Sequence, residues 1–222
     1  MRRILAGIAV AALLSACACG AAAQTGMSVV DTSYVLPDGE RVLELSIVVP
    51  APLDEAWTAF TTSDGFRSWA APVARVDLRV GGEIESSYSA GAVLGAPDNI
   101  RNEILALVPL RLLVIRNVQA PRSTAFDVTT FQKLQTAVQF AALGPRETRV
   151  TVQNSGYRDG ALYDGVYKHF KAGNGWTLLK LRERFEKGPA NWAQAVQTLP
   201  AATQATTQAT TQPTTQPTTK PQ

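Results

Sequence analysis

The 222-residue chain contains a single histidine, His169, inside the stretch KHFKAGNGWTLLKLRERFEKGP at residues 168 to 189. An imidazole titrates near neutral pH and is the natural candidate for a general base, but nucleophilic catalysis also needs an activated serine or cysteine beside it. No G-x-S-x-G turn occurs, and both cysteines, Cys17 and Cys19, fall near the N-terminus, so His169 reads as a structural or surface histidine. A lone histidine without carboxylates or thiols at ligand spacing does not make a metal site, and none is expected. Asp159 and Asp164 read as acids at the positive end of a helix. The glycines of KAGNGWT lack the G-x-x-x-x-G-K-[ST] spacing and the preceding strand of a phosphate cradle, so no cofactor is expected from them. They read instead as a kink or a break in the helix at 172–175, since each glycine costs about 1 kcal/mol relative to alanine in a helix interior.

Around that interruption the aromatics are regularly placed. Tyr163, Tyr167 and Phe170 are spaced at four and three, and Trp176, Leu179 and Phe185 continue an apolar surface. Such a stripe suits either the lid of a cavity or the plain packing face of a buried helix.

The elements that must position these residues are legible from their periodicity. Residues 41–49, RVLELSIVV, alternate as a strand with one face inward, and Pro50 ends it. Leu53, Ala56, Trp57 and Phe60 then follow at helical spacing, and the break at Ser63-Asp64-Gly65 predicts a second short helix through Trp69. Turn signals at Gly81-Gly82, Pro109 and Gly144-Pro145 join three successive antiparallel pairs. With the first strand these predict a seven-stranded antiparallel sheet. The helical pattern from Asp159 to Glu186 can bury itself only in the concave face of that sheet, which makes the fold class α+β.

This order of elements, the segment VPAPLDEAWTAFTTSDGFRSWAAP, the Gly81-Gly82 turn, Pro109, Ser155-Gly156-Tyr157 and GNGW with its Leu-rich helix together resemble the SRPBCC group, the START-like helix-grip superfamily. Within it the similarity is to homologues of the C-terminal domain of the heat-shock-protein-90 ATPase activator, over about residues 40 to 187. Residues 118 to 133 are longer than that pattern. The resemblance implies a curved sheet gripping a long C-terminal helix, with an apolar cavity between them that accepts a small hydrophobic molecule. Some branches of the superfamily are cyclase-type enzymes, and the fold by itself does not decide between binding and catalysis.

On that expectation the candidate ligand contacts are Tyr88, Asn117 and Asn154, which share strand faces with apolar residues, and Trp69, Phe126 and Phe131 near the mouth. Tyr163, Tyr167, Phe170 and Trp176 complete the set from the helix. Three function classes follow: an envelope binding protein for a small apolar ligand, an enzyme of the cyclase or hydrolase type using a Tyr, an Asp or His169 as acid or base, and a co-chaperone-like module.

The two ends differ from the domain in kind. Residues 1–23 read as a bacterial export signal, with Arg2 and Arg3 ahead of the apolar run Ile4 to Leu14. Leu14-Ser15-Ala16-Cys17 resembles a lipobox that would make Cys17 the lipidated N-terminus, while Ala21-Ala22-Ala23 offers an ordinary cleavage site. The expected location is the cell envelope, as a membrane-anchored lipoprotein facing the periplasm or cell exterior, or else as a soluble periplasmic or secreted protein. Residues 24–39 read as a linker, 40–197 as the domain, and 198–222, with their repeated Thr, Gln and Pro, as a disordered tail. Of the 21 Lys and Arg, Arg2 and Arg3 lie in the leader, leaving 19 against 18 Asp and Glu, so charge gives no case for nucleic acid.

Overall fold

Strand β3, Arg41–Val49, is the spine on which the rest is assembled. Val42, Leu43, Leu45, Ile47 and Val49 are buried, and the alternation from Leu43 onward follows the pleat. The computed structural model describes residues 28–121 and 128–199. Ahead of β3, two short strands, β1 (Val30–Asp31) and β2 (Tyr34–Val35), both pair antiparallel with it. After it come helices α1 (Leu53–Thr61) and α2 (Ser63–Arg67), the second capped by the Thr62 hydroxyl, which accepts from the Gly65 amide at 3.0 Å.

A meander follows: β4 (Val73–Val76), β5 (Glu83–Ser87), β6 (Ile100–Val108), β7 (Leu112–Gln119), β8 (Gln135–Gly144) and β9 (Glu147–Tyr157), with the short helix α3 (Val128–Phe131) between β7 and β8. The sheet order is β1-β3-β9-β8-β7-β6-β5-β4, with β2 also on β3, in a curved, unclosed antiparallel sheet. The three turn signals join the pairs they were expected to join. Gly81 in the first turn has φ 76, a region that glycine enters without steric cost, and a Cβ on Gly82 would sit 2.2 Å from the Asp77 carbonyl.

Two differences from the sequence reading concern the sheet's edge and the chain's end. The sheet has nine strands rather than seven, because β1 and β2 come from residues read as linker. Lys171 of the last long helix binds Asp31 of β1 at 2.6 Å and holds the Asp31 carboxyl at about 2, below its usual range. At the other end the described chain continues through α5 (Trp192–Ala195) and a 3-10 turn at Val196–Thr198 to a buried Leu199, two residues past the expected boundary of the domain. Residues 1–27, with Cys17, and 200–222 lie outside the described residues.

Helix α4, Ala161–Lys187, fills the concave side and buries Val166, Leu178 and Leu181. It runs unbroken through 172–175, which corrects the expected break. Two side chains secure that stretch: the Asn174 amide donates to Asn154 Oδ1 at 2.5 Å, and the Thr177 hydroxyl donates to the Gly173 carbonyl at 2.7 Å. With the buried positions on either side, this anchoring outweighs a propensity deficit of about 1 kcal/mol per glycine. Further links clamp both ends, from Arg41 to Asp164 at 2.6 Å and from Arg182 to the Val48 carbonyl at 2.6 Å. Gly188, at φ 95, ends the helix. No helix among the described residues is long and apolar enough to cross a membrane.

Candidate functional site

Between α4 and the sheet lies a cavity of about 240 Å³. The sheet contributes Ile84, Ser86 and Tyr88 from β5 and the residue after it, Ile100 and Asn102 from β6, Leu113 and Ile115 from β7, and Thr136, Val138 and Val152 from β8 and β9. Alternate residues of each strand therefore face inward, as the pleat requires. Phe60, Phe66 and Trp69 close one side. Trp69 is fixed there by its indole N–H, which donates to the Ala59 carbonyl at 2.8 Å, and by Phe60, whose ring centroid is 4.6 Å away.

The helix supplies His169, Phe170, Gly173, Asn174, Thr177 and Leu178. These recur at steps of three and four on one face, continuous with buried Val166 and Leu181. Phe170 stacks on Phe131 of α3, with centroids 5.1 Å apart and planes at 21°.

Four of the ten expected contacts line the cavity: Trp69, Tyr88, Phe131 and Phe170. Phe126 lies outside the described residues. Asn117 and Asn154 stand one layer behind the wall and hold residues that face inward. The Asn117 amide donates to Asn102 Oδ1 at 3.3 Å, while buried Asn154 donates to the Thr136 hydroxyl at 2.6 Å and accepts from Asn174. Tyr163, Tyr167 and Trp176 do not line it either. Tyr167 packs edge-on against buried Tyr157 at 5.1 Å with the Arg41 guanidinium over its ring. Tyr163 packs against the core, and Trp176 meets Tyr88 from behind at 6.4 Å and donates to the Thr198 hydroxyl at 3.3 Å. The stripe read from the aromatics is thus rotated from the true inward face, and its Leu179 is 47% exposed.

His169 is the main residue that sequence reasoning placed elsewhere. It lines the cavity and is half-buried, and that burial lowers its imidazole below the ordinary value of 6.5. Burial also pushes the Tyr88 hydroxyl up to about 12, where it shares a hydrogen bond with Thr177. Both groups are therefore neutral at neutral pH. The described lining contains no Asp, Glu, Lys or Arg. Chemically this is an apolar chamber with a few uncharged donors and acceptors, suited to orienting a neutral molecule.

The sequence over residues 50–186 matches the family described as Activator of Hsp90 ATPase homolog 1-like protein. The chain belongs to that family. No curated protein matches the chain in sequence. Among solved structures, the Aha1 dimer from Colwellia psychrerythraea is 17% identical with a TM-score of 0.51, covering 67% of this chain and 98% of that one. The solution structure of CalU16 from Micromonospora echinospora is 16% identical at a TM-score of 0.52, covering 82% and 91%. A Mesorhizobium loti protein is 19% identical at 0.52, covering 68% and 100%. At these identities the likeness establishes the helix-grip fold.

Proposed function

We propose that the domain binds and retains a small, uncharged, largely apolar molecule in the cavity beneath α4, and that the chain is exported and held at the cell envelope through an acylated Cys17. The observation that carries the binding reading is the lining itself: aromatic and aliphatic walls, neutral hydrogen-bonding groups, and no charged side chain among the described residues. A cavity of about 150 Å³ takes up benzene when its walls are apolar. At about 240 Å³, this one has the scale of a two-ring aromatic or a short aliphatic chain, below the 300–1,000 Å³ or so of sites for larger ligands. Asn102, Asn174 and Tyr88 then orient one polar group of the occupant.

Titration with 2-naphthol, followed by its fluorescence and by native mass spectrometry, tests the reading. One naphthol per chain, competed by other small aromatics, is expected; no saturable binding by any neutral aromatic or aliphatic probe would count against it. A second reading is favoured by His169 and Tyr88 lining the same cavity, which would serve acid–base chemistry on a bound molecule. Turnover of a bound compound that is lost in His169→Gln while binding persists would select it.

A further inference from the structure

Three hairpins end at one edge of the molecule. The strand order sets the turns after β4, β6 and β8 at the same end of every second strand, about 10 Å apart across the sheet. The register staggers them along the strands, because β6 runs on to Val108 past the level of Gly82, which bonds Ile104, and β8 runs on to Gly144 past Gln139, which pairs with Leu112. Each tip exposes aliphatic side chains beside an arginine: Leu78 and Val80 with Arg79, Val108 and Leu110 with Arg111, and Leu143 with Arg146. Single exposed aliphatics are ordinary on any surface, whereas here the same pairing recurs at three successive tips along one staggered edge of the sheet. Leu110 is moreover held at φ 62, a region that glycine enters freely and leucine does not, so an apolar side chain occupies the one tip position where its absence would relieve strain. The acids at these tips are Asp77, which pairs with Arg79 at 2.9 Å, and Glu147; Asp54 and Glu55 open α1 at the same end.

We propose that these hairpin tips form a docking face for a bilayer carrying anionic phospholipids, with the aliphatic side chains entering the headgroup boundary and Arg111 and Arg146 meeting the phosphates. The course of the chain points to the same occupant. Val30 of β1 pairs with Ser46 of β3, so Ser28 lies level with Val48 at the tip end of the sheet. Cys17 is eleven residues before Ser28, a reach of at most about 40 Å. An acyl group on Cys17, a point that rests on the lipoprotein reading, is therefore joined to the domain at this end and leaves the tips within reach of the membrane. The cavity lies toward the opposite end, where Tyr88, Ile100 and Pro121 stand at or beyond the strand ends. Docked this way, the domain exchanges its ligand with the aqueous phase and not with the bilayer.

The test uses mature Cys17→Ser protein, purified after export and lacking any acyl chain, with vesicles of phosphatidylglycerol and phosphatidylethanolamine. Co-sedimentation is expected, and it falls at least about tenfold with phosphatidylcholine vesicles or in the combined variant Val80→Glu, Leu110→Glu, Leu143→Glu. Naphthol binding by that variant verifies that it is folded. In separate proteins an environment-sensitive dye on Leu110→Cys shifts to the blue with vesicles, while the same dye on Val93→Cys, exposed in the connection between β5 and β6 at the other end, does not. Failure to sediment, equal sedimentation of the tip variant, or an equal shift at Val93 overturns the docking face. None of these results bears on Cys17, whose acylation palmitate labelling of the wild type reads independently.

Discussion

Asn154 and Asn174 couple the sheet to the helix through one 2.5 Å hydrogen bond, and Asn154 is fully buried. Removing the partner leaves a buried acceptor unpaid for, so Asn174→Ala should destabilise the protein by about 1–3 kcal/mol in denaturant unfolding. A second expectation concerns His169. Burial lowers its folded-state pKa below the 6.5 of the free imidazole, so below that pH the unfolded chain takes up a proton that the folded chain does not. Stability should therefore fall with pH from about 6.5 downward, until the folded imidazole also titrates. Thermal melts across that window should have a shallower pH dependence in His169→Gln than in the wild type. At this scale the sequence was legible where the residue type was loud. Trp69, Tyr88, Phe131 and Phe170 face the cavity as aromatics in an apolar wall. His169, Asn174 and Thr177 were not legible, because polar residues on the inward face of a helix break the hydrophobic pattern by which that face is recognised.

Helix α4 is where local and tertiary preferences compete most openly. Nothing lies within 4 Å of a Cβ built on Gly175, and its backbone is helical. Gly175→Ala should accordingly raise stability by about 0.5–1 kcal/mol, measured by equilibrium unfolding, and leave naphthol affinity unchanged. A loss of stability would mean that the glycine answers to a constraint other than packing. The strands and their turns were readable because an inward face repeats every second residue and Gly-Gly, Pro and Gly-Pro punctuate the pairs. The continuity of the helix was not, since propensity sees Gly173 and Gly175 but not the Asn154 side chain that arrives from a strand twenty residues away in sequence. Strands β1 and β2, two residues each, are too short to carry any period and owe their place to pairing with β3 and to the ion pair between Asp31 and Lys171.

For the molecule as a whole, the fold and family follow from the order of elements, while the site within it is a matter of which side chains the grip encloses. The proposed anchoring at the cell envelope is tested at Cys17: radiolabelled palmitate should enter the wild type and not Cys17→Ser, which should move to the soluble envelope fraction. An unlabelled wild type beginning at Gln24 would leave a soluble exported protein instead. The binding reading has a more direct probe. Gly173 lines the cavity and no atom lies within 4 Å of a Cβ placed there, so Gly173→Leu can project a side chain into the chamber without first displacing the fold. Titration of 2-naphthol into wild type and Gly173→Leu, with both melting curves recorded, is therefore the decisive measurement. Saturable binding by the wild type and at least about a tenfold loss in a Gly173→Leu protein that melts no lower are expected, since a filled cavity gains contacts while excluding its guest. Undiminished binding by a folded Gly173→Leu protein would place the ligand elsewhere and contradict a site beneath the helix.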